Sequence, residues 1–445
     1  MRRAVVIGSG PNGLAAAVTL ARAGLSVEVV EEHPQIGGGA RTCELTLPGF
    51  RHDVCSAIHP LARASPVFRR LGIDWIEPPA ACAHPFDDAT AVTLERSIEE
   101  TAVQLGRDAA AYRRLVTPYA HAARRFAAGR VPLGGGAAAL GAARALAEAR
   151  FASERARGFF AGHAAHSMLP LERRPSAGFA LALIGLGHAV GWPFPRGGSV
   201  ALTEALAQQL DDLGGTVRAG VRADEVPVAD LVLCDVMPRE LVRLARGRLP
   251  PRYERRLLRY RHGPGAFKID WALAGPIPWK AAACRRAATV HLGATLAEIA
   301  RSERNNRSSR PFVLLAQQSL FDTTRAPEGQ HTAWAYCHVP SGSPADCTDA
   351  IEAQVERFAP GFRALVLARS VRAPAELQAE NRNYLGGDIN GGIMDLGQLL
   401  VRPTLIPYRT PLRGVFLCSS ATPPGGGVHG LCGFAAARLA LRDLR

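Results

Sequence analysis

Long apolar runs are missing from this 445-residue sequence. No uninterrupted apolar stretch reaches the ~18 residues that a membrane-spanning helix needs, although hydrophobic residues make up 47% of the chain and charged residues only 21%. The chain enters its first predicted strand at Arg3, which leaves no room for a secretory leader. We therefore expect a globular, cytoplasmic protein that is long enough for two or three domains.

Paired cysteines are also missing. The nine cysteines are odd in number, and no two of them have C-x-x-C spacing. This pattern disfavours a disulfide scaffold, a zinc site and a thioredoxin-type redox pair. His163 and His166 lie three residues apart and share a predicted helix face, but no acid or thiol lies near them in the sequence. We therefore expect no metal site.

Lysine is nearly absent. Lys268 and Lys280 are the only lysines among 53 basic residues, and the formal net charge is +14. An arginine excess spread along the chain indicates a bias of composition rather than a nucleic-acid surface, so we expect no nucleic-acid partner. The densest basic run, residues 239–261, is broken by two prolines and predicts two short helices. Its alternative interpretation is a peripheral contact with a membrane surface.

The strongest motif lies within the first 31 residues. An apolar run at Arg3–Ile7 predicts a buried parallel strand, and it leads into Gly8, Gly10 and Gly13 with G-x-G-x-x-G spacing. Such glycines allow a tight turn, a close approach of a diphosphate and close packing of the next helix. A second strand is predicted at Ser26–Val30, and it leads directly to Glu31, at the offset where an acid accepts the hydroxyls of an adenosine ribose. The unit predicts a dinucleotide site.

The residues after Glu31 resemble one group of dinucleotide-binding enzymes. Gly37, Gly38 and Thr42 follow Glu31 with the Glu-x5-Gly-Gly-x3-Thr spacing of FAD-dependent oxidoreductases related to amine oxidases and phytoene desaturases. Residues 195–206 resemble the segment that returns the chain to the flavin domain in that superfamily. A further strand is predicted at 216–221. The strand predicted at 414–421, the glycine-rich loop at 422–430 and the helix at 431–442 resemble the closing motif of that superfamily. The nearest resemblance is to the pyridine-nucleotide-disulfide-oxidoreductase-domain-2-like branch.

This resemblance implies FAD as the cofactor and assigns the residues that contact it. Many relatives carry arginine directly after the glycine pair, whereas this chain has Gly39 there and Arg41 two residues later. The implied FAD-binding residues are Gly8, Gly10, Pro11, Asn12, Gly13, Glu31, Glu32, Gly37, Gly38, Gly39, Arg41, Thr42, Val221, Ser420, Gly427, Val428 and His429.

The resemblance also implies the fold class, a two-domain α/β flavoprotein of the glutathione-reductase type. An FAD-binding Rossmann-like domain is expected to join a substrate domain built from an antiparallel sheet and a helical cap. The FAD-binding domain is expected to be discontinuous, with residues 1–60, 195–240 and 405–445. The substrate domain takes residues 61–194 and 241–404.

Periodicity within the substrate domain predicts its elements. Helical spacing of Ala, Leu and Arg over residues 60–190 predicts the cap, with helices at 108–125 and 137–156. Alternating apolar and polar residues predict antiparallel strands at 266–273, 311–317 and 331–339.

The favoured function is desaturation of a hydrophobic organic substrate. One dinucleotide fingerprint is present, so a separate NAD(P)H-binding domain is not expected. A hydride would pass from the substrate to flavin N5, and oxygen or a quinone would remove the electrons. A redox-neutral isomerase and an amine oxidase are the enzyme alternatives, and a prenyl- or lipid-binding carrier is the non-enzyme alternative. The oligomeric state stays open.

Two residues are candidates for handling the second hydrogen of a desaturation. His429 would lie at the start of the closing helix beside the flavin, and imidazole suits proton transfer near neutral pH. Its alternative interpretation is a helix cap or an FAD contact. Lys268 lies within a predicted strand of an arginine-rich chain, and it is loosely similar to a lysine near N5 in amine oxidases. Its alternative interpretation is a lysine at a strand edge.

Overall fold

Two β-sheets organise the chain in the computed structural model, which describes residues 2–127 and 136–444. The described strands are β1 Arg3–Ile7, β2 Ser26–Val30, β3 Thr42–Glu44, β4 Arg51–Asp53, β5 Trp75–Ile76, β6 Cys82–Pro85, β7 Ala91–Leu94, β8 Phe194–Pro195, β9 Thr216–Arg218, β10 Leu231–Cys234, β11 Gly265–Leu273, β12 Thr289–Leu292, β13 Val313–Ala316, β14 His331–Val339, β15 Val366–Arg372 and β16 Val415–Leu417. The described α-helices are α1 Pro11–Ala21, α2 Pro60–Ala64, α3 Ile98–Val103, α4 Ala109–Ala127, α5 Gly136–Ala139, α6 Ala143–Arg150, α7 Glu154–Ala165, α8 Ser176–Val190, α9 Val200–Asp212, α10 Pro238–Ala245, α11 Pro251–Leu258, α12 Leu296–Asn305, α13 Thr348–Phe358, α14 Pro374–Glu380, α15 Leu396–Leu400 and α16 Leu431–Asp443.

The first sheet is parallel, with strand order β16-β10-β1-β2-β9. Its two central predicted strands, β1 and β2, have the predicted bounds. Ala4 and Val6 of β1 pack against the cluster that includes α1, α9 and α16, whereas Ile7 packs against the cluster that includes α10 and α11. Helices cover both faces, which requires short, continuously apolar strands. The predicted Rossmann-like α/β fold is confirmed.

Two strands of this sheet are shorter than predicted. β9 ends at Arg218 rather than at Val221, and β16 covers Val415–Leu417 rather than residues 414–421. Both lie at an edge of the sheet and have a ladder partner on one side only. An edge strand pairs only half of its backbone groups within the sheet. Fewer hydrogen bonds therefore keep its ends extended, and the strand is shorter than the apolar pattern predicts.

The second sheet is mixed, with order β15-β11-β14-β13-β12-β6-β7. β11, β13 and β14 fall where the alternating pattern predicts strands, and they pair in antiparallel fashion. The prediction of a wholly helical cap over residues 60–190 is wrong at β5, β6 and β7. Ala83 of β6 pairs with Val290 of β12, a distant part of the chain. Tertiary pairing rather than local pattern decides such short strands.

The cap itself is helical, and α4 lies where residues 108–125 predict a helix. The single helix predicted at 137–156 is wrong, because the chain divides there into α5, α6 and the start of α7. Phe151 is extended, and Ser153 Oγ accepts a hydrogen bond from Ala156 N–H at 3.2 Å. A serine N-cap of this kind begins a new helix rather than continuing the previous one.

The parallel sheet takes its strands from three separated stretches, residues 3–30, 216–234 and 415–417. The domain boundaries drawn from the sequence stay a prediction, and Met1, residues 128–135 and Arg445 lie outside the described residues. Among the helices in the described parts of the chain, none is long and apolar enough to cross a membrane.

Candidate cofactor and substrate site

A cavity of about 560 Å³ opens where the carboxyl ends of β1, β2 and β10 meet the loop before α16. Open α/β sheets bind their ligands at this edge. Most of the residues predicted to bind FAD line it, namely Gly8, Gly10, Pro11, Asn12, Glu31, Glu32, Gly38, Gly39, Arg41, Val221, Ser420, Gly427 and Val428. Contact of each residue with the cofactor stays a prediction.

The glycine turn at the end of β1 depends on close backbone contacts. Gly8 has φ +100°, and its N–H donates to Val30 O at 2.8 Å. A Cβ on Gly13 would lie 2.0 Å from Gly8 O, so α1 can pack against the turn only with glycine there. A Cβ on Gly38 would lie 3.1 Å from Gly10 Cα, so the second glycine pair rests on the first. The N-cap of α1 is Gly10, which has no side chain that could cover the helix end, and the positive end of a helix suits a diphosphate.

The Glu31 carboxylate is held in a defined position on the cavity wall. Oε2 accepts hydrogen bonds from Ser9 N–H at 2.8 Å and from Ser9 Oγ–H at 2.7 Å, and Oε1 accepts one from His33 N–H at 2.8 Å. Val221 N–H donates to Glu31 O at 2.8 Å, which keeps Val221 beside the acid although β9 has already ended. A carboxylate oxygen accepts more than one hydrogen bond. Capacity therefore remains for the two ribose hydroxyls.

Four predicted FAD contacts, Gly13, Gly37, Thr42 and His429, do not line the cavity. Three of them support the turn from behind. Gly13 N–H donates to Asp235 Oδ2 at 2.9 Å, Gly37 N–H to Ser9 Oγ at 3.2 Å and Thr42 Oγ1–H to Asp53 Oδ1 at 2.7 Å. Their partners are protein groups, which the spacing of a motif cannot reveal.

Arg41 connects the second glycine pair to α14. Its buried guanidinium pairs with Glu380 at 2.7 Å, and Nε–H donates to Gly38 O at 2.8 Å. Arg41 therefore fixes the position of the glycine loop. It lies two residues after position 39, where many relatives carry arginine.

The donors, acceptors and free space of this cavity fit an adenine dinucleotide. Gly8, Gly10 and Gly38 form a backbone cradle without side chains, and Glu31 offers fixed acceptors beside it. Asn12 Oδ1 is buried and has no partner among the described residues, although Asn12 lies on the cavity wall. A buried polar atom of this kind needs a partner, and a bound cofactor supplies one.

Asp235 is a cavity residue that sequence analysis missed. It directly follows β10, is buried, and lies beside the glycine turn, where a Cβ on Gly10 would be 2.9 Å from Oδ2. Burial raises the pKa of Asp235 to about 7, with a further rise from Glu31, although the Gly13 N–H bond lowers it. Its position directly after a predicted parallel strand could have marked Asp235 as a candidate. Only the pairing of β10 with β1, however, brings it to the glycine turn.

Asp235→Asn is expected to strengthen FAD binding at pH 8 and to remove its pH dependence between pH 6 and 8. Below about pH 7 the wild-type carboxyl is neutral, and above it the carboxylate repels a diphosphate at the same turn. One such charge pair at ~8 Å repels by roughly 2 kcal/mol at an effective dielectric constant of 20, or ~10–30-fold in affinity. FAD titrations followed by fluorescence check this. Asp230→Asn at the exposed opposite end of β10 is the control, and an equal pH slope in wild type and Asp235→Asn would contradict the assignment.

The far part of the cavity is an aromatic and apolar chamber. Its walls are Ile58, Leu183, Trp192, Leu314, Trp334 and Tyr336, with His166 and Thr289 among them. Trp334 and Tyr336 lie two residues apart on β14 and therefore point to the same face of the sheet. Their rings are parallel, with centroids 5.9 Å apart.

Acidic side chains do not reach this chamber. The acids on the described cavity wall are Glu31, Glu32, Asp235, Glu240 and Glu380, which come from the ends of β2 and β10 and from α10 and α14. They gather at the dinucleotide end, so the described walls give the chamber no carboxylate.

Lys268, one of the two predicted catalytic residues, does not line the cavity. Its buried Nζ pairs with Asp270 and donates to Asp53 O at 3.1 Å. Burial lowers the pKa of Lys268 to about 8, against the opposing effect of Asp270. The ammonium lies 5.4 Å from the centre of the ring of Trp334, which lines the chamber.

His429, the other predicted catalytic residue, is buried in its own turn. Nδ1 accepts a hydrogen bond from Leu431 N–H at 3.0 Å, and this tautomer directs Nε2–H to Gly425 O at 3.2 Å. Burial lowers the pKa of His429 to about 4, although the bonds to backbone carbonyls raise it. The helix-cap interpretation fits these contacts, and a catalytic role stays a prediction.

No thiol lies near His163 and His166 in the sequence, but the fold brings one to them. β6 and β12 bring Cys82 and His291 to these histidines, and the ligand atoms of Cys82, His163 and His291 all lie within 4.8 Å of one another. His166 Nε2 lies 2.8 Å from His291 Nε2. The sequence could not indicate this cluster, because its members come from strands whose pairing is long-range.

Comparison with known proteins finds sequence similarity to oxidoreductases. Residues 6–71 match the family model of the NAD(P)-binding Rossmann-like domain. The mouse pyridine nucleotide-disulfide oxidoreductase domain-containing protein 2 is 26% identical, with 99% of this chain and 94% of that protein covered. The phytoene dehydrogenase of Streptomyces griseus is 28% identical, with 76% of this chain and 73% of that protein covered.

A solved structure shares the fold. Putrescine oxidase, in a wild-type structure bound to putrescine, superposes with a TM-score of 0.63 at 16% identity and covers 100% of this chain and 99% of that one. The predicted resemblance to phytoene desaturases and amine oxidases, and with it the flavoprotein cofactor FAD, is confirmed.

Proposed function

We propose that this chain, an FAD-dependent oxidoreductase of the amine oxidase and phytoene desaturase superfamily, desaturates an uncharged, hydrophobic organic substrate. The observation that carries the proposal is the chamber of Ile58, Leu183, Leu314, Trp334 and Tyr336, whose described walls hold no carboxylate. Apolar and aromatic walls of this kind bind substrates through buried apolar area.

A cationic amine is a poorer fit to the same chamber. Burying an ammonium group requires a partner of opposite charge or a free aromatic face. The Trp334 ring already has the Lys268 ammonium 5.4 Å from its centre. A second cation at this ring would be repelled by the Lys268 ammonium and would find no acidic partner on the described walls. The geometry therefore favours a desaturase over an amine oxidase.

The described residues divide the work of binding and orientation. FAD, when bound, supplies the hydride acceptor, and an external acceptor, oxygen or a quinone, takes up the electrons. Glu31 and the glycine turn hold the dinucleotide, and Trp334 and Tyr336 pack against the substrate. One carbon of the substrate would lose a hydride to FAD, the adjacent carbon would lose a proton to solvent, and a C=C bond would form. A water-excluding chamber keeps the reacting carbons in place.

A peripheral membrane contact would deliver such a substrate. Leu400, Leu405 and Ile406 are exposed, and their segment touches basic α11, where Arg256 Nε–H donates to Pro403 O at 3.2 Å. Arg252, Arg255, Arg256 and Arg259 are exposed on and just after α11. Exposed leucines beside a basic helix match the composition of segments that bind anionic lipid surfaces.

Anaerobic flavin reduction tests the proposal. Uncharged isoprenoid hydrocarbons of several lengths, phytoene among them, are offered in anionic and in zwitterionic vesicles, and putrescine is offered in solution. We expect at least one hydrocarbon to bleach the flavin and to gain a C=C bond, faster from anionic vesicles, whereas putrescine leaves the flavin oxidised. Reduction by putrescine alone, or isomerised hydrocarbon with the flavin unchanged, would reject desaturation. A colourless protein that cannot be reconstituted with FAD would indicate a carrier.

A matched pair of variants links that activity to the chamber. Leu183 lines the chamber, and its neighbour Ala182 is exposed on the same helix. Leu183→Asp is expected to slow reduction by the hydrocarbon at least ~10-fold, because a carboxylate there must be desolvated by the substrate. Ala182→Asp should stay within about twofold of wild type. Equal rates for both variants would remove the chamber from the reaction.

A further inference from the structure

Three potential metal ligands converge where the cap helix α7 packs against the mixed sheet. Cys82 comes from β6, His163 from α7 and His291 from β12, and their ligand atoms lie within 4.8 Å of one another. All three side chains are buried, with exposed fractions of 0%. Cys82 Sγ and His291 Nδ1 are already 3.4 Å apart.

The hydrogen bonds around the cluster leave imidazole lone pairs unused. His163 Nδ1 lies 2.8 Å from Phe159 O, and since a carbonyl only accepts, Nδ1 carries the proton and Nε2 the lone pair. That Nε2 is buried and has no partner among the described residues. His84 repeats the pattern, with Nε2–H donating to Ala294 O at 2.8 Å and a buried Nδ1 left unpartnered. A backbone carbonyl that fixes the tautomer is the usual support of a metal-binding histidine.

Glycines in α7 leave the room that these rings need. A Cβ on Gly162 would lie 3.0 Å from both His291 Nδ1 and His84 Nδ1, and a Cβ on Gly158 would lie 2.2 Å from Ala294 O. The two nitrogens therefore face the same small space beside the helix. Alanine at either position would occupy the space around the nitrogens or displace the carbonyl that orients His84.

We propose that Cys82, His163 and His291 form a buried zinc site, with His84 Nδ1 as the adjacent fourth donor. Thiolate sulfur and imidazole nitrogen are the donor atoms that zinc prefers. Tetrahedral Zn–N and Zn–S bonds place the ligand atoms ~3.3–3.8 Å apart. The Cys82–His291 pair has this spacing at 3.4 Å, and His163 offers its ligand atom within 4.8 Å of both. Binding displaces the thiol proton to solvent, and no redox change is involved.

The site would tie the cap to the mixed sheet next to the substrate chamber. β6 and β12 belong to the sheet, α7 belongs to the cap, and His291 Nε2 lies 2.8 Å from Nε2 of His166, which lines the chamber. A metal on His291 Nδ1 requires the proton of that ring on Nε2, so His291 donates to His166. The metal thereby also sets the orientation of a chamber residue.

Metal analysis of the FAD-loaded protein tests the proposal. After dialysis against a chelator, reconstitution with zinc sulfate and removal of excess ion, we expect about one zinc per chain. Cobalt(II) in place of zinc should give tetrahedral d–d bands at wavelengths longer than the flavin bands, together with a thiolate-to-cobalt charge-transfer band. Wild-type protein that carries its flavin but binds neither zinc nor cobalt would overturn the proposal, and so would a cobalt spectrum without the thiolate band.

Variants identify the ligands independently of catalysis. Cys82→Ser and His163→Gln should weaken zinc binding by more than the ~10–100-fold that loss of an outer hydrogen-bond partner costs. The control is His188→Gln, because His188 is equally buried in the cap but has Tyr112 Oη and Arg96 O as partners of its ring nitrogens. Retention of one zinc per chain by folded Cys82→Ser and His163→Gln would reject the site. If these variants do not fold, the wild-type cobalt spectrum decides.

Discussion

Glu31→Ala is expected to lower FAD affinity by ~100-fold or more. The carboxylate stands on the cavity wall at the end of β2, and each hydrogen bond between a charged acceptor and a ribose hydroxyl contributes about 1.5–3 kcal/mol. Loss of two such bonds amounts to about 3 kcal/mol at least, and 1.4 kcal/mol is a tenfold change in Kd. Titration of the apoprotein with FAD, followed by flavin fluorescence, measures the change.

Two controls separate ribose binding from support of the glycine turn. Glu28 is an acid on the same strand, and its side chain pairs with Arg3 at the surface. Glu28→Ala is therefore expected to keep wild-type FAD affinity. Ser9→Ala removes one hydroxyl partner of Glu31 but leaves the carboxylate, so less than a tenfold loss is expected. If Glu31→Ala binds FAD like wild type, the ribose assignment is wrong. If Ser9→Ala loses as much as Glu31→Ala, Glu31 acts by shaping the turn.

Asp53→Asn is expected to lower the free energy of unfolding by ~3 kcal/mol at pH 7. Asp53 is buried and accepts hydrogen bonds from Thr42 Oγ1–H at 2.7 Å, Ser199 N–H at 2.8 Å and Arg325 at 3.0 Å. Removing one partner of a buried ion pair typically costs 3–5 kcal/mol. Asp322 still pairs with Arg325, which places the loss at the lower end. Urea unfolding of the FAD-loaded enzyme measures it.

The difference between wild type and Asp53→Asn should depend on pH in one direction. Burial raises the pKa of Asp53, but Arg325 and the donors from Ser199 and Thr42 outweigh it, so the pKa lies below its ordinary value. The carboxylate therefore stabilises the fold above the unfolded pKa of ~3.9, and this stabilisation is lost as the pH falls through the lower folded pKa. The difference should stay constant from pH 7 to ~5 and shrink as the pH falls below the unfolded pKa. Asp74→Asn is the control, since its exposed pair with Arg196 is worth ~0–1 kcal/mol. A difference that stays constant with pH would contradict the charge-based account.

The parts of the fold that could be predicted are those with local signals. β1, the glycine turn and β2 were predictable because a buried parallel strand needs a short apolar run and the turn needs glycines at fixed offsets. β11 and β14 were predictable from alternation. β6 and β7 were not, because four-residue strands carry too little pattern, and β6 depends on β12, a partner far along the chain.

The candidate site divides in the same way. Motif spacing located Gly8, Gly10, Glu31 and Gly38 on the cavity wall. It could not locate Asp235, whose raised pKa follows from burial beside the glycine turn. Lys268 was a catalytic candidate because it is a rare lysine within a strand pattern. Its position outside the cavity wall depends on the pairing of β11 with β14, which the pattern does not reveal.

The sequence by itself determined the dinucleotide turn and the acid after β2, and its resemblance to known flavoproteins indicated the class of enzyme. The turn and the acid are encoded within the first 31 residues by steric demands that only glycine, short apolar runs and a correctly spaced carboxylate satisfy. Only the tertiary structure decided the aromatic chamber, whose described walls hold no acid, and the cluster of Cys82, His163 and His291. Both features are built from side chains of separate strands and helices. Burial in the folded chain shifts the pKa values of such groups and leaves some of their lone pairs without a hydrogen-bond partner.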